Sequence, residues 1–311
     1  MKVLLVVDGS SYSDAATNML KALHLHSEAK VIVMTVVPEH TFLGGITLGK
    51  LQGTLAIKDA QQYKALELVR HSAKALSDIR PRVETIVRWG NPAEEIIKEV
   101  NNNSASLVVM GAKGLTDPLS FRLGSVAQTV MKHARASVLL VREKSATTER
   151  RLSGRSKTTT ISRVLLATDG SKYSDVVAQF LLDLPLPHYS QVIVVTALQS
   201  HLAAWVKTPT LDFQTNQELL ARLQEAEENE ARKITSKAEK QFQSKGYKTA
   251  SIVKRGGAAE SILAVAKEYS PDIIALGSRG LAGIESLLLG SVAERIARHA
   301  NCSVLIGRSI K

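Results

Sequence analysis

The residues best suited to chemistry in this chain are glycines and serines that recur twice at one fixed spacing. The two glycine motifs consist of Gly111, Gly114, Gly124 and Ser125, and of Gly277, Gly280, Gly290 and Ser291. Each motif follows an apolar, strand-like run and stops where a helical pattern begins, which is the edge at which open α/β sheets bind ligands. Glycine permits a positive φ and lets backbone N–H groups approach a phosphate closely. A serine at a helix N-terminus lies where unpaired N–H groups favour an anion. The spacing therefore predicts a phosphate-binding loop in each half.

The alternative for each glycine motif is structural: two tight turns followed by a serine that caps a helix. The repetition of the full spacing favours the ligand interpretation. Asp8 and Asp169 end the first strand of each half, where a carboxylate can accept hydrogen bonds from ribose hydroxyls or from an adenine amine. Their alternative role is to cap the first helix or to fix a turn with Gly9 or Gly170.

Two basic residues lie inside the motifs, between the first and second glycine. Lys113 and Arg279 would add positive charge to a phosphate site. The alternative is that both are solvated surface cations, and the sequence leaves the two interpretations open.

Other candidate motifs carry less weight. Residues 44–50 match the G-x₄-G-K part of a P-loop, but Leu51 replaces the Ser or Thr that binds magnesium, and the second half has no counterpart. His133 and His299 end the last helix of each half, where a cation suits the helix C-terminus. No Ser/His/Asp set, paired carboxylate set or metal cluster recurs in both halves, so we expect no catalytic residues and no protein metal ligands.

The chain is an internal repeat. Residues 3–10 return as residues 164–171 at an offset of 161, and the glycine motifs return at an offset of 166. In each half, short β-branched runs alternate with helical patterns, and the runs are apolar throughout. This alternation indicates a parallel sheet with helices on both faces. We therefore expect a domain over 1–143, a flexible linker over 144–160 and a second domain over 161–311.

Composition limits the classes of function. The chain has 311 residues, a formal net charge of +11, 44% hydrophobic and 4% aromatic residues, and one cysteine, Cys302. A basic chain suits anionic ligands, whereas few aromatics argue against a stacking surface for single-stranded nucleic acid. We expect no disulfide, no zinc site, no signal peptide and no membrane span. A cytoplasmic location follows by default.

The quoted residues resemble the universal stress protein family over both halves. The resemblance rests on the opening strand with Asp-Gly-Ser, the G-x₂-G-x₉-G-S run, the helix that begins Ser-Val-Ala, and the ending that runs from His133 through Ser137. It implies two tandem Rossmann-like (adenine nucleotide α-hydrolase-like) domains, each with a five-stranded parallel sheet in the order 3-2-1-4-5. It also implies a bound nucleotide at the point where the strand order reverses: ATP, or else AMP or ADP, with magnesium.

The resemblance assigns roles to residues of the first half. Asp8 would contact the adenosine, the backbone at Val36 would frame the adenine, and Met110 would line the ribose side. The phosphates would be held by Gly111, Gly114, Gly124, Ser125 and Val126. The matching residues of the second half are Asp169, Ala197, Leu276, Gly277, Gly280, Gly290, Ser291 and Val292.

The first glycine loop departs from the common pattern of the family. Asp117-Pro118 and Phe121-Arg122 replace a small and aliphatic run. An acidic side chain beside phosphates is unfavourable unless a metal or Arg122 offsets it. We therefore expect the second site to bind more tightly than the first.

These observations favour an ATP-binding stress-response protein in which occupancy controls conformation or partner binding. Two alternatives stay open: a slow ATPase or nucleotidyl-transferring enzyme, and a scaffold with one or both sites empty. The resemblance also suggests that the two halves pair within the chain through their last strands, and residues 137–141 and 303–306 support this because they are apolar edges that need covering. A homodimer through other faces stays open, and nucleic acid is not an expected partner.

Overall fold

The computed structural model describes residues 1–39, 54–79, 81–115, 123–143, 159–199, 213–281 and 289–308. Strands and helices alternate along these segments, as predicted. The strands are β1 (Lys2–Val6), β2 (Lys30–Val37), β3 (Arg82–Trp89), β4 (Leu107–Gly111), β5 (Ser137–Val141), β6 (Arg163–Ala167), β7 (Gln191–Leu198), β8 (Lys248–Arg255), β9 (Ile273–Gly277) and β10 (Ser303–Gly307). The helices are α1 (Ser11–Ala22), α2 (Thr54–Ala75), α3 (Pro92–Asn103), α4 (Ser125–His133), α5 (Lys172–Asp183), α6 (Phe213–Gln243), α7 (Ala258–Tyr269) and α8 (Ser291–His299).

All ten strands form one sheet, in the order β3-β2-β1-β4-β5-β10-β9-β6-β7-β8. Within each half every described strand pair is parallel, and the order of each half is 3-2-1-4-5. The predicted fold class of two tandem Rossmann-like domains is confirmed. The linker and the exact domain limits stay a prediction, because residues 144–158 lie outside the described residues.

Alternate side chains of each strand enter two apolar cores, one on each face of the sheet. Leu4 of β1 packs in a core with residues of α3, α4, α7 and α8. Its neighbours Val3 and Leu5 pack on the opposite face with residues of α1, α2, α5 and α6. This is the period of two expected of strands. Each core contains residues of both halves, so the hydrophobic interior is continuous across the middle of the sheet.

The two halves meet through their last strands. β5 and β10 pair antiparallel, with Leu139 directly opposite Leu305. These two leucines are equivalent positions of the repeat at the offset of 166, so a pseudo-twofold axis passes between them. The predicted pairing through the last strands is confirmed. Among the described helices, none has the length and hydropathy of a membrane span.

Candidate functional site

The candidate site of the first half lies where the strand order reverses, at the carboxyl ends of β1 and β4. These strands are neighbours, with Val6 opposite Met110. Asp8 follows β1, and the glycine loop begins at Gly111, the last residue of β4. The topology therefore brings both predicted features to one crevice. The second half repeats this arrangement with Asp169 after β6 and Gly277 at the end of β9.

Both aspartates fix the turn that leads into the first helix of their half. Asp8 Oδ1 accepts hydrogen bonds from the backbone N–H of Ser10 at 3.0 Å and from its hydroxyl at 2.6 Å. Asp169 Oδ1 accepts from the backbone N–H of Ser171 at 3.0 Å. Gly9 and Gly170 adopt φ values of 81° and 75°, which glycine adopts at little cost. The turn-fixing role is therefore present in both copies.

The second carboxylate oxygen of each aspartate faces the glycine loop. A Cβ placed on Gly114 would lie 2.7 Å from Asp8 Oδ2, and one on Gly280 would lie 2.7 Å from Asp169 Oδ2. In the second half the backbone N–H of Leu281 donates to Asp169 Oδ2 at 2.9 Å. Each aspartate thus touches both sides of the crevice, and a side chain at the second position of the motif would have to displace the aspartate carboxylate.

The six motif glycines do not need a positive φ, but at the first and second glycine of each motif an added Cβ would lie closer than 3.0 Å to a neighbouring atom. None of them has a φ in the left-handed region, which corrects the expectation that their conformational freedom matters. A Cβ on Gly111 would lie 2.8 Å from Tyr12 Cβ, and one on Gly277 would lie 2.8 Å from the carbonyl oxygen of Tyr173. The loop therefore begins pressed against the first helix of its half.

This packing predicts opposite outcomes for two substitutions in the second motif. Gly277→Ala forces a Cβ against backbone atoms of α5, so we expect a loss of about 1–3 kcal/mol in the free energy of unfolding. Gly290→Ser adds a Cβ that would lie 3.4 Å from its nearest neighbours, at an N-cap position with φ −78° and ψ 153°. Serine is a good N-cap, so this control should unfold no more easily than wild type. Chemical denaturation measures both; a neutral Gly277→Ala would contradict the packing account.

The helix that follows each glycine loop begins without a side-chain cap. The N-cap of α4 is Gly124 and that of α8 is Gly290, and neither helix has a side-chain cap hydrogen bond. The alternative in which Ser125 or Ser291 caps its helix is therefore wrong, because each serine is the first helical residue. The first-turn N–H groups carry the positive end of the helix dipole, and they lie beside the glycine loop. An anion can bind there.

The basic residue inside each motif lies over a tyrosine ring. Lys113 Nζ is 5.6 Å from the ring centre of Tyr12, and Arg279 Cζ is 5.4 Å from that of Tyr173. Lys113 is only 8% exposed, so its interpretation as a solvated surface cation is wrong. No carboxylate of the described residues pairs with Lys113 or Arg279.

The two tyrosines were missed by the sequence reasoning. Tyr12 and Tyr173 recur at the offset of 161, in the same stretch as the aspartates, and that repetition was the available signal. Arg279 Nη1 also donates a hydrogen bond to the hydroxyl of Tyr173 at 3.2 Å. The tyrosines therefore hold the basic side chains at the start of each glycine loop.

The remaining predicted residues lie around this crevice. Val36 and Ala197 are near the carboxyl ends of β2 and β7, next to the strands that carry the aspartates. Met110 and Leu276 are 5% and 4% exposed and belong to an apolar core. Val126 and Val292 are half-buried against that core.

Several sequence features lie elsewhere or outside the described residues. His133 and His299 end α4 and α8, as expected. Asp117, Pro118, Phe121 and Arg122, and the P-loop-like residues 44–50, lie outside the described residues. Within the described segments, no group of three or more His, Cys, Asp or Glu side chains could hold a metal ion.

Comparison with known proteins decides the family. The family model described as the universal stress protein family matches residues 1–142 and again 160–308. The chain belongs to the universal stress protein family. A universal stress protein of Thermus aquaticus is 33% identical over 141 residues, which are 45% of this chain and 97% of that protein. The universal stress protein YxiE of Bacillus subtilis is 28% identical over 155 residues, which cover 47% of this chain and 99% of that protein. Each of these relatives thus corresponds to about one half of this universal stress protein.

Solved structures match over the whole chain. The crystal structure of a universal stress protein from Archaeoglobus fulgidus has a TM-score of 0.62 at 20% identity, and covers 99% of this chain and 98% of its own. A putative universal stress protein from Pseudomonas aeruginosa has a TM-score of 0.52 at 15% identity, and covers 99% and 92%. At these low identities, the matches support only the fold of this universal stress protein, with its two halves.

Proposed function

We propose that this universal stress protein is a cytoplasmic regulator with one adenine-nucleotide site in each half. ATP is the main ligand that we propose for both sites. Occupancy of the sites would control its conformation or its choice of partner. The observation that carries the proposal is the helix N-terminus beside each glycine loop, which has no side-chain cap. Such an end offers several N–H donors and half a positive charge to a phosphate.

The charges around the crevice support a phosphate ligand. Lys113 is almost buried and, among the described residues, has no carboxylate partner. Burying a cation without a counterion is costly, and an anionic ligand would remove that cost. Arg279 would play the same part in the second half.

The adenosine end of the ligand would lie toward the first two strands. Asp8 Oδ1 is used by the turn, whereas Oδ2 has no hydrogen-bond partner among the described residues and could accept from a ribose hydroxyl. The backbone at Val36 or Ala197 would frame the adenine, and Met110 or Leu276 would border the ribose. The triphosphate would run along the glycines and end at the first turn of α4 or α8.

Magnesium would arrive with the nucleotide. Magnesium keeps several waters and is bound by substrate phosphates with one or two carboxylates, and the described residues contain no larger ligand cluster. In the sequence, Asp117 lies between Gly114 and Gly124, and its negative charge would oppose bound phosphates. We therefore propose that the second site binds more tightly.

A scaffold with empty sites is the second candidate function. The observation that favours it is the packing role of Gly111 and Gly277, whose positions exclude a Cβ whether or not a ligand is present. Retention of the spacing in both halves can therefore have a structural cause alone.

The nucleotide content of the purified protein tests these functions. Denatured protein should release an adenine nucleotide, and incubation with ATP and magnesium should leave the nucleotide unconverted over many minutes. The described residues contain no metal cluster, and we expect no turnover near the median enzyme rate of about 10 per second. Such turnover would favour the enzyme, and protein that neither carries nor binds nucleotide would favour the scaffold.

A further inference from the structure

Each half ends its last strand with an arginine that reaches into the other half. Arg308 follows β10, and its guanidinium donates to three carbonyls at the end of α4. The acceptors are Ala134 O at 2.5 Å, Met131 O at 2.5 Å and Lys132 O at 3.0 Å. The arginine of the second half therefore caps the helix whose first turn faces the site of the first half.

The contact is reciprocal. Arg142 follows β5, and its guanidinium donates to Ala297 O at 2.7 Å and to Arg298 O at 3.2 Å, at the end of α8. The backbone N–H groups of both arginines also donate hydrogen bonds across the joint, by which we mean the antiparallel pair of β5 and β10. That of Arg142 donates to the hydroxyl of Ser303 at 3.2 Å, and that of Arg308 donates to the hydroxyl of Ser137 at 3.1 Å. The repeat thus places the same contact on both sides of the pseudo-twofold axis.

The carbonyls that the arginines contact have no partner within their own helix, because the last four carbonyls of a helix are unpaired. They also carry the negative end of the helix dipole, which favours a cation. Burial lowers the pKa of Arg308 to about 10, with Arg279 as a second cause, so the side chain is a cation at neutral pH. Each arginine is therefore held in a fixed position between the two halves.

The last residue of each of these strands, next to the arginine, also accepts a hydrogen bond from the glycine loop of the same half. The backbone N–H of Ser278 donates to Gly307 O at 3.1 Å, one residue before Arg308. The backbone N–H of Ala112 donates to Val141 O at 2.8 Å, one residue before Arg142. A short chain of contacts thus connects the glycine loop of one half with α4 or α8 of the other half. We call α4 and α8 the phosphate-facing helices.

We infer that Arg142 and Arg308 are positioning residues that act across the joint, each fixing the phosphate-facing helix of the opposite half, so that the two nucleotide sites are coupled. α4 has nine residues and is about 14 Å long, and rigid secondary elements of this kind carry coupling between sites. A change at its last turn is therefore carried to its first turn. The inference rests on the proposed nucleotide binding at both helices.

The test is a crossed effect of two substitutions. ATP affinity is measured at one site at a time, in variants whose other site is closed by Ser291→Asp or Ser125→Asp. Arg308→Met should weaken site one, measured in Ser291→Asp, by about fivefold or more, and should weaken site two less. Arg142→Met should show the mirror result. Equal effects on both sites, or a larger effect in the arginine's own half, would overturn the inference.

A second measurement does not depend on nucleotide. Hydrogen exchange without ligand should show faster exchange in α4 for Arg308→Met and in α8 for Arg142→Met. If no variant binds ATP, the proposed function fails, while this crossed exchange pattern still decides whether the arginines position the helices. If Arg308→Met does not fold, Arg308→Lys replaces it. Lysine keeps the charge but lacks the planar fork of the guanidinium, so Arg308→Lys should speed hydrogen exchange in α4 to a smaller extent. Faster exchange confined to α8 in this variant would overturn the inference.

Discussion

Ser125→Asp and Ser291→Asp are each expected to remove one ATP from the chain while leaving the fold at least as stable as wild type. Both serines are exposed first residues of their helices. A carboxylate there would occupy the place of a phosphate and repel it, and placing like charges together costs several kcal/mol, about a hundredfold or more in affinity. The same carboxylate stabilises a helix N-terminus by about 0.3–1 kcal/mol.

Isothermal titration with ATP and thermal unfolding measure the two effects. Each single variant should bind one ATP per chain, and the double variant should bind none, with melting temperatures equal to or above that of wild type. Thr129→Asp is the matched control, because Thr129 is exposed on the same helix, one turn further on. It adds the same charge and should keep both ATP molecules. A Ser125→Asp variant that keeps wild-type affinity at both sites would show that the phosphates do not lie at α4.

Leu139→Lys combined with Leu305→Lys should break the joint between the halves. Both leucines are fully buried and directly opposite each other across β5 and β10. The double variant would place two like charges in a desolvated strand pair, where each uncompensated charge costs about 3–5 kcal/mol. We expect a melting temperature lower by more than about 10 °C and a larger radius of gyration in solution scattering.

A charge-matched variant separates the strand pairing from simple burial. Directly opposite side chains on an antiparallel pair have Cβ atoms about 4.5–5.5 Å apart. Leu139→Lys with Leu305→Glu should therefore lose clearly less stability than the double lysine variant. If both variants unfold at the same temperature, the two positions do not face each other and the register is wrong.

The sequence predicts most of this fold because its signals are local or repeated. Uniformly apolar runs such as residues 3–7 indicated strands buried on both faces, and the structure shows this for Leu4 and its neighbours. The pairing of the last strands came from the family resemblance, and the apolar edge at 137–141 supported it because such an edge must be covered. The strand order came from the family resemblance, since periodicity does not specify which strands are neighbours.

The candidate site was only partly predictable. The glycine spacing identified the loop, but the need for Gly111 depends on its distance to Tyr12, which belongs to another element. The burial of Lys113 likewise depends on packing that the sequence does not display. Arg142 and Arg308 recur at the offset of 166. Their reach into the opposite half appears only once β5 and β10 are paired.

The stoichiometry of ATP binding to the nucleotide-stripped wild-type chain tests the central claim most directly. Isothermal titration should give two ATP per chain, with the tighter site lost in Ser291→Asp and the weaker one in Ser125→Asp. Binding of no ATP at millimolar concentration by a chain that is folded by circular dichroism would contradict the account.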